Sequence, residues 1–338
     1  MKFCLIGAGR AGLVHARNLK TRIKTAELAA LCDANRETLE TAGRELDVPA
    51  LFADYREAVR QPGIDAVIIV TPTLLHRDIA CEAAAGGKHV FLEKPMALNA
   101  DQCRQIIAAV EAAGVTLQIG FMRRFDEGFL AAKEILDSGE MGRVMIVKST
   151  GRGPGLPPPW IYDIAASNGI LAEVNSHDFD AVRWLASSDI VRVYAEAANF
   201  KCREVADQWP QFYDNAVVNL RFADGTLGVI DGTCPAHYGY DARVEVLCEN
   251  GVLMIGSVQQ QGLSKVLRDG SIVNRAVKSW RHLFRDAYVA ELEHFIECVR
   301  QGKKPRVTGR DGLKAVQAVV AANQSILQGK PVEIGGCE

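Results

Sequence analysis

The first 120 residues alternate short apolar runs with longer amphipathic stretches. Strands that are apolar throughout, rather than at every second position, are typical of a parallel sheet covered on both faces. The pattern predicts five such strands, at Lys2–Ile6, Leu28–Cys32, Ala66–Val70, Val90–Leu92 and Val115–Ile119. Helices are predicted between them, at Gly12–Leu19, Arg36–Leu46, Leu74–Ala85 and Ala100–Ala113. This order favours an α/β domain built on a doubly wound parallel sheet.

After Phe121 the pattern changes. One more helix is predicted over residues 123–142, and a helix is also expected around residues 170–186. Strands with alternating polarity are predicted at Val144–Ser149, Val191–Ala198, Ala216–Phe222, Thr226–Thr233, Ala242–Cys248 and Gly251–Ile255. Such strands favour an open, mainly antiparallel sheet with one wet face, and Asp224-Gly225 and Asn250-Gly251 are predicted hairpin turns. Two helices, at about Tyr288–Gln301 and Gly312–Gln328, close the chain.

We therefore predict two domains, residues 1–121 and an α+β domain over residues 122–338, with the closing helices able to pack back on the first.

Composition excludes several classes of function. A net charge of −2 gives no field that would attract nucleic acid or an anionic membrane surface. No run of eighteen apolar residues could span a bilayer. The nine cysteines are scattered without a CxxC pair, so neither a metal site nor a disulfide framework is expected. The pattern is that of a cytoplasmic protein.

The residues between the first strand and the first helix are rich in glycine. Gly7, Gly9 and Gly12 enclose Ala8, Arg10 and Ala11 in the order G-x-G-x-x-G. In a dinucleotide-binding site the three glycines permit the tight turn, the close approach of the pyrophosphate and the packing of helix on strand. Asp33 lies 21 positions beyond Gly12, where a carboxylate accepts hydrogen bonds from the adenosine ribose. These residues predict a Rossmann domain that binds a dinucleotide.

The identity of Asp33 also bears on which dinucleotide is bound. A carboxylate there repels a 2′-phosphate, and Ala34 and Asn35 offer no cation to receive one. Arg36 lies nearby and keeps NADP open as the alternative. NAD is the favoured cofactor.

Beyond this fingerprint, the sequence resembles the glucose–fructose oxidoreductase/inositol dehydrogenase (Gfo/Idh/MocA) family, and its inositol dehydrogenase branch in particular. Four segments carry the resemblance, namely residues 71–76 (TPTLLH), 87–95 (GKHVFLEKP), 120–126 (GFMRRFD) and 169–180 (GILAEVNSHDFD). The resemblance implies an oxidoreductase that interconverts a secondary alcohol and a ketone on a sugar or cyclitol. It also implies a homodimer or homotetramer.

The resemblance further implies roles for individual residues. Lys94 and His177 would form the catalytic pair, and Glu173 would be the third catalytic residue, at the position where the family usually has an Asp. That departure puts myo-inositol itself in doubt as the substrate. The remaining cofactor residues would lie beside the nicotinamide half of the dinucleotide, and they are Thr71, Pro72, His76, Glu93 and Lys94.

The reaction requires such a pair. Hydride leaves a secondary alcohol carbon only if the hydroxyl proton also departs, and an imidazole, with an ordinary pKa of about 6.5, can accept it near neutrality. A lysine ammonium can stabilise the developing alkoxide. Read as one helix, Glu173, His177, Asp180 and Trp184 share one stripe. The full set of predicted substrate contacts is Lys94, Arg123, Arg124, Trp160, Tyr162, Glu173, Asn175, His177, His237 and Tyr238.

Two other functions stay open at this point. One is a reductase of a non-sugar ketone, an imine or a dihydrodiol, because relatives with this fold include such enzymes. The other is a sugar sensor that binds the dinucleotide but has lost catalysis. Retention of both Lys94 and His177 argues against the sensor.

Overall fold

The computed structural model describes residues 1–335, without the side chains of residues 261–263. Residues 336–338 of the predicted second domain therefore lie outside the described residues. Within these limits the chain divides into two compact units. Met1–Phe125 and Asp286–Val316 form the first unit, and Asp126–Arg285 forms the second with the segment that starts at Gln317. Each unit is thus assembled from two separate stretches of sequence.

The first unit is built on a six-stranded parallel sheet with the strand order β3-β2-β1-β4-β5-β6. Its strands are β1 (Lys2–Ile6), β2 (Glu27–Cys32), β3 (Ala50–Phe52), β4 (Ala66–Ile69), β5 (His89–Glu93) and β6 (Leu117–Gly120). This is the order of a Rossmann sheet, in which ligands bind at the carboxyl ends of the strands. The predicted doubly wound fold is confirmed.

Helices follow most of these strands. They are α1 (Gly12–Thr21), α2 (Arg36–Leu46), α3 (Tyr55–Val59), α4 (His76–Ala85), α5 (Ala100–Ala113) and, from the later stretch, α12 (Ala287–Gln301). Asn99 caps α5 by accepting a hydrogen bond from the Gln102 N–H at 2.9 Å. Gly114 ends α5 in the left-handed conformation, with φ of 64°. Asparagine is a favoured N-cap residue and glycine a favoured residue just after a helix end, so both ends of α5 follow from local chemistry.

The core of the first unit joins its two stretches of sequence. Phe295 of α12 lies 6.3 Å from Phe3 and 5.8 Å from Phe91, measured between ring centroids. All three rings are buried, as is Leu292 of the same helix. Helix α12 is therefore a structural layer of the Rossmann unit, held by burial of large apolar side chains.

The second unit contains a seven-stranded sheet with the order β12-β11-β7-β10-β9-β8-β15. Its strands are β7 (Val144–Arg152), β8 (Ile190–Ala198), β9 (Asn215–Phe222), β10 (Leu227–Thr233), β11 (Asp241–Cys248), β12 (Gly251–Ile255) and β15 (Val332–Glu333). Strands β7 and β10 run parallel, and the other neighbours are antiparallel. Val147 and Ile230 are buried on one face, whereas Lys148 and Val217 on the other are exposed. The predicted open sheet is confirmed, together with its two hairpin turns.

The remaining elements of the second unit are helices and one hairpin. The helices are α6 (Glu127–Asp137), α7 (Ile164–Ser167), α8 (Gly169–Glu173), α9 (Ser176–Ala186), α10 (Arg203–Ala206) and α11 (Trp280–Leu283), and α13 (Gly309–Gln328) runs on from the first unit's second stretch. Strands β13 (Gln259–Val266) and β14 (Ile272–Ala276) form a separate two-stranded sheet that the sequence pattern did not reveal.

One helix is shorter than predicted. The pattern favoured a single helix over residues 123–142, but a 3₁₀ turn occupies Met122–Phe125 and α6 starts only at Glu127. Asp126 separates the two, because its Oδ1 accepts hydrogen bonds from the N–H groups of Gly128 and Phe129. Such a cap fixes a helix start. Within residues 1–335, no helix combines the length and the apolar character needed to cross a membrane.

Candidate active site

The glycine-rich loop connects β1 to α1. Gly7 has φ of 100°, and a Cβ added to it would lie 2.5 Å from the Val70 carbonyl oxygen. A Cβ on Gly12 would lie 1.9 Å from the Gly7 oxygen. A Cβ on Gly9, in contrast, meets no described atom within 4 Å. Gly7 and Gly12 are therefore required by the fold itself, whereas Gly9 leaves open space beside the backbone.

The start of α1 fits a pyrophosphate. No side chain caps its N-terminus, and its first turn carries no acidic residue. The positive end of the helix dipole and the N–H groups of the first turn are thus directed to the space next to Gly9. Arg10 and Ala11 complete the loop, and Arg10 is exposed. The residues present fit a dinucleotide, with the loop residues holding its phosphates.

Asp33 follows β2 and is bound to the same loop. Its Oδ2 accepts a hydrogen bond from the Ala8 N–H at 2.8 Å, and its Oδ1 accepts one from the Asn35 N–H at 2.8 Å. An ionised carboxylate offers about four acceptor positions, so each oxygen can still accept from a ribose hydroxyl. Arg36, the residue that kept NADP open, directs its guanidinium to Glu40 at 3.0 Å.

His76 links the loops that follow β4 and β5. Its side chain is buried, with Nε2 2.9 Å from the Thr71 carbonyl oxygen and Nδ1 2.8 Å from the Pro95 carbonyl oxygen. Burial lowers the pKa of His76 despite these two contacts. The neutral ring carries one N–H and can donate to only one of the two carbonyls. Pro72 lies between Thr71 and the 3₁₀ turn that leads to His76.

Glu93 and Lys94 stand at the carboxyl end of β5. Glu93 is buried; its Oε1 lies 2.7 Å from His15 Nε2, and its Oε2 accepts a hydrogen bond from the Lys94 main-chain N–H at 3.1 Å. Gly120 on β6 leaves room for this carboxylate, because a Cβ there would lie 3.0 Å from Glu93 Cδ. Lys94 is half-buried and follows directly at the edge where Rossmann domains bind ligands.

Arg123 and Arg124 lie in the 3₁₀ turn after β6, and both are buried. Arg124 Nη2 lies 3.1 Å from Asp311 Oδ1, and Arg124 Nη1 donates to the Arg306 carbonyl oxygen at 3.5 Å. The guanidinium of Arg124 therefore binds groups of the first unit. The sequence predicted that this guanidinium contacts substrate. That contact stays a prediction for both arginines.

The segment that carries Glu173 and His177 is not one helix. Helix α8 ends at Glu173 and α9 begins at Ser176, because the N–H groups of Val174 and Asn175 both donate to the Ile170 carbonyl oxygen. The predicted single stripe through Glu173 and His177 is therefore wrong. Glu173 ends one short helix, half-buried, and His177 lies buried in the first turn of the next.

The start of α9 is fixed by a buried polar cluster. Asn175 Nδ2 donates to the Gly151 carbonyl oxygen and to Asp178 Oδ2, both at 2.9 Å. The Ser149 hydroxyl donates to Asp178 Oδ1 at 2.5 Å. Gly151 and Gly232 on the neighbouring strands make room, since a Cβ would lie 1.9 Å from Asp178 Oδ2 and 2.4 Å from Asn175 Oδ1 respectively. The cluster holds the helix turn on which His177 lies.

This cluster changes the interpretation of Asn175. It was predicted to contact substrate, yet it has no exposed surface and its amide nitrogen is bound to the protein. Asp178 was not singled out from the sequence at all. The signal for both was the pair of glycines inside strands β7 and β10, because glycine within a strand often marks close approach of another group.

Trp160 and Tyr162 come from the proline-rich loop before α7. Trp160 is 39% exposed, and Tyr162 is half-buried. The Tyr162 ring packs edge-on against Phe212 at a centroid distance of 5.0 Å. Tyr162 thus has a packing role within the second unit, and the substrate contacts predicted for both aromatic residues stay predictions.

His237 and Tyr238 follow β10 and are exposed. His237 has a positive φ of 69°. The Tyr238 hydroxyl donates to Asp241 Oδ2 at 2.7 Å and accepts from Arg152 Nη1 at 3.2 Å. Tyr238 therefore belongs to a charged network of the sheet, and its contact with substrate is untested, as is that of His237.

The second unit also contains a cavity of about 910 Å³. It is lined by α6, β12 and α11, with Phe129, Ile255 and Phe284 among its apolar residues. None of the residues predicted to bind substrate lines it, so we do not assign the reaction to this cavity.

Two family models match the chain. An oxidoreductase family with an NAD-binding Rossmann fold matches residues 1–121, and a Gfo/Idh/MocA C-terminal domain matches residues 129–254. The cofactor that the loop and Asp33 fit is therefore NAD, as the sequence predicted.

The similarity to individual proteins extends over the whole chain. The NAD(+)-dependent scyllo-inositol 2-dehydrogenase of Bacillus subtilis is 34% identical over 99% of this chain and 96% of that protein. The myo-inositol 2-dehydrogenase of Thermotoga maritima is 34% identical over 99% of this chain and 98% of its own. Scyllo-inositol dehydrogenase from Lactobacillus casei, solved with bound NAD(H) and scyllo-inositol, has a TM-score of 0.91 at 27% identity and covers 99% of both chains. The chain belongs to the Gfo/Idh/MocA family of NAD-dependent oxidoreductases.

Proposed function

We propose that the protein is a cyclitol dehydrogenase, which oxidises one secondary alcohol of an inositol to the ketone with NAD⁺ and catalyses the reverse reduction. One observation carries this proposal: the similarity to inositol dehydrogenases covers 99% of the chain, and so includes the second unit as well as the Rossmann unit. A dinucleotide fingerprint alone would support only the cofactor.

The chemistry assigns separate tasks to individual side chains. When bound, NAD⁺ supplies the acceptor for the hydride that leaves the alcohol carbon. A ring nitrogen of His177 takes the hydroxyl proton, so that a neutral ketone forms. The Lys94 ammonium stabilises the alkoxide as its charge develops. The anchored first turn of α9 supports this role for His177, and the hydrogen bond from the Lys94 N–H to Glu93 supports the role of Lys94.

Glu173 is proposed to contact substrate hydroxyls. It ends α8 half-buried, in place of the Asp that the family pattern has at this point. The glutamate is longer by one methylene, which changes how far its carboxylate reaches towards a ring hydroxyl. We therefore assign it to the choice among inositol isomers and not to proton transfer.

We propose a homodimer or homotetramer assembled through the open sheet face of the second unit. Leu227, Ile146, Leu247 and Val252 are cross-strand neighbours on that face, and Leu227 and Val252 are 40% and 47% exposed. A continuous apolar row of this kind is typical of a protein–protein contact.

The proposed location is the cytoplasm, where thiols such as those of Cys4 and Cys32 stay reduced.

The proposed function is tested by following the absorbance of NADH while the enzyme and NAD⁺ are offered a panel of polyols. The panel contains myo-, scyllo- and chiro-inositol, aldoses, glycosides and sugar acids. We expect turnover with at least one inositol, at a kcat/KM well above that for any aldose. Turnover with aldoses alone, or with non-sugar ketones alone, would assign another substrate class, and NADH binding without any turnover would favour the sensor.

A further inference from the structure

Three buried polar side chains meet beneath the end of β5. His15 lies on α1, Glu93 ends β5, and Glu291 lies on α12, so that three elements of the first unit each contribute one group. The exposed fractions are 0% for His15 and Glu291 and 6% for Glu93. One nitrogen or oxygen from each residue lies within 4.8 Å of those of the other two. These residues form a compact cluster, here called the β5 cluster.

The walls of the β5 cluster are aromatic. The His15 ring packs against Phe91 at 5.3 Å and against Tyr288 at 5.4 Å, both edge-on. Neither carboxyl oxygen of Glu291 has a hydrogen-bond partner, donor or acceptor, among the described residues. Such surroundings solvate a charge poorly, and a buried charge is costly unless it is paired.

Two carboxyl groups this close do not both ionise in such a site. Burial raises the pKa of Glu291 well above its usual range, and the neighbouring Glu93 adds to the effect. Glu291 is therefore the neutral acid, which keeps a proton and can donate a hydrogen bond. The Glu93 carboxyl group lies between the imidazole of His15 and the main-chain N–H of Lys94.

We propose that Glu291 is a positioning residue for Lys94, acting through Glu93. Its uncharged carboxyl group fills the third side of the β5 cluster and places no negative charge beside Glu93. Glu93 then stays directed at the Lys94 main chain and fixes the strand end from which the Lys94 side chain projects. The inference rests on the proposed function, in which Lys94 stabilises the alkoxide.

The test compares two changes at Glu291. Glu291→Gln keeps the shape and a donor group but cannot ionise, whereas Glu291→Leu keeps the approximate volume and removes the donor. Glu293→Leu is the matched control, because Glu293 is exposed and lies on the same helix. Each variant is measured for thermal unfolding, NADH dissociation constant, kcat and KM for an inositol. The ¹³C spectrum of reductively methylated lysines reports on Lys94, whose signal is assigned with Lys94→Arg.

We expect Glu291→Leu to move the Lys94 signal and lower kcat roughly ten- to hundredfold, as misplacement of a catalytic group does, with KM and NADH binding within about threefold. Glu291→Gln should keep kcat within about threefold of the wild type and leave the Lys94 signal at its wild-type position. Glu293→Leu should match the wild type. A Glu291→Leu enzyme with an unchanged Lys94 signal and kcat overturns the proposal.

Two further outcomes also count against it. Loss of more than about tenfold in kcat for Glu291→Gln would mean that the ionised acid is required. One equivalent of a transition metal, retained by the wild type and lost in Glu291→Gln, would make the β5 cluster a metal site. If the wild-type enzyme were inactive on every inositol, the proposed function would be rejected. The lysine spectrum needs no substrate, so the position of the Lys94 signal would still decide this inference.

Discussion

Asp33 Oδ2 accepts a hydrogen bond from the main-chain N–H of Ala8, inside the glycine-rich loop, at 2.8 Å. The side chain that follows β2 therefore fixes the loop that follows β1, besides being available to the ribose of the cofactor. Substitutions of Asp33 should therefore affect both the stability of the loop and the choice of cofactor.

The first prediction separates these two roles of Asp33. We expect Asp33→Ser combined with Ala34→Arg to shift the ratio of kcat/KM for NAD⁺ to that for NADP⁺ by at least about a hundredfold towards NADP⁺, which corresponds to ~2.7 kcal/mol. The double variant removes the carboxylate that repels a 2′-phosphate and adds a guanidinium that can bind it. Asp65→Asn is the control, because Asp65 Oδ2 accepts from the Lys2 N–H at 2.7 Å, at the amino end of the strands. It should lower stability without changing the cofactor ratio. An unchanged ratio in the double variant would show that Asp33 does not recognise the ribose.

The second prediction uses two glycines of the loop. Gly9→Ala should fold normally, because the new Cβ meets no described atom within 4 Å, but the NADH dissociation constant should rise about tenfold or more, equivalent to ~1.4 kcal/mol. Gly12→Ala places a Cβ 1.9 Å from the Gly7 carbonyl oxygen and should lower the free energy of unfolding by about 3 kcal/mol or more. Fluorescence titration and denaturant unfolding measure the two effects. Equal losses of stability would contradict the open space at Gly9.

The third prediction concerns His76 and acid stability. Its pKa is lowered in the folded protein, so the unfolded chain binds its proton first as the pH falls. The stability contribution of neutral His76 is complete above about pH 6.5 and declines below it, by up to about 1.4 kcal/mol per pH unit, until the lowered pKa is reached. His76→Gln should be less stable at pH 8 but should lose less stability between pH 7 and pH 5.5.

Thermal unfolding across this pH range provides the measurement for His76. His282→Gln makes the same change at an exposed histidine and should keep the acid dependence of the wild type. Parallel curves for the wild type and His76→Gln would mean that another group controls the loss.

The order of strands and helices in the first unit followed from local pattern. The apolar runs of β1 and β4 and the cap at Asn99 are signals contained within a few residues, and the structure agrees with them. Strand β3 and helix α3 were missed because three and five residues are too few to show a period.

The break between α8 and α9 could not be derived from local pattern. Periodicity over residues 170–186 favours one helix, and the break instead accompanies contacts of Asn175 with Gly151, 24 residues away. Glu291 was overlooked for a similar reason, since its partner Glu93 is remote in sequence and an acid within an amphipathic helix usually faces water. Only tertiary packing identifies such groups.

The fourth prediction tests the catalytic pair. Lys94→Ala and His177→Ala should each lower kcat at least about a hundredfold, the contribution expected of a general base or of an alkoxide-stabilising charge. NADH binding should change by less than about threefold, because neither side chain is assigned to the glycine-rich loop or to the adenosine ribose. Lys88→Ala serves as the control for Lys94, since the Lys88 ammonium donates to the Gln61 and Ile64 carbonyl oxygens at the other end of β5. Full activity in either catalytic variant would reject the mechanism.

The last prediction concerns the residue that departs from the family pattern. Glu173 ends α8, and its carboxylate reaches one methylene further than the Asp that the family usually has. A shift of one methylene changes which ring hydroxyl can be hydrogen-bonded, and failure to pair a buried polar group costs about 1–3 kcal/mol. Glu173→Asp should therefore change the ratio of kcat/KM for myo-inositol to that for scyllo-inositol about tenfold, in favour of myo-inositol. Glu173→Gln keeps the length and removes the charge, and it should lower kcat/KM for myo-inositol and for scyllo-inositol together. An unchanged ratio of the two kcat/KM values in Glu173→Asp would exclude Glu173 from the recognition of the ring.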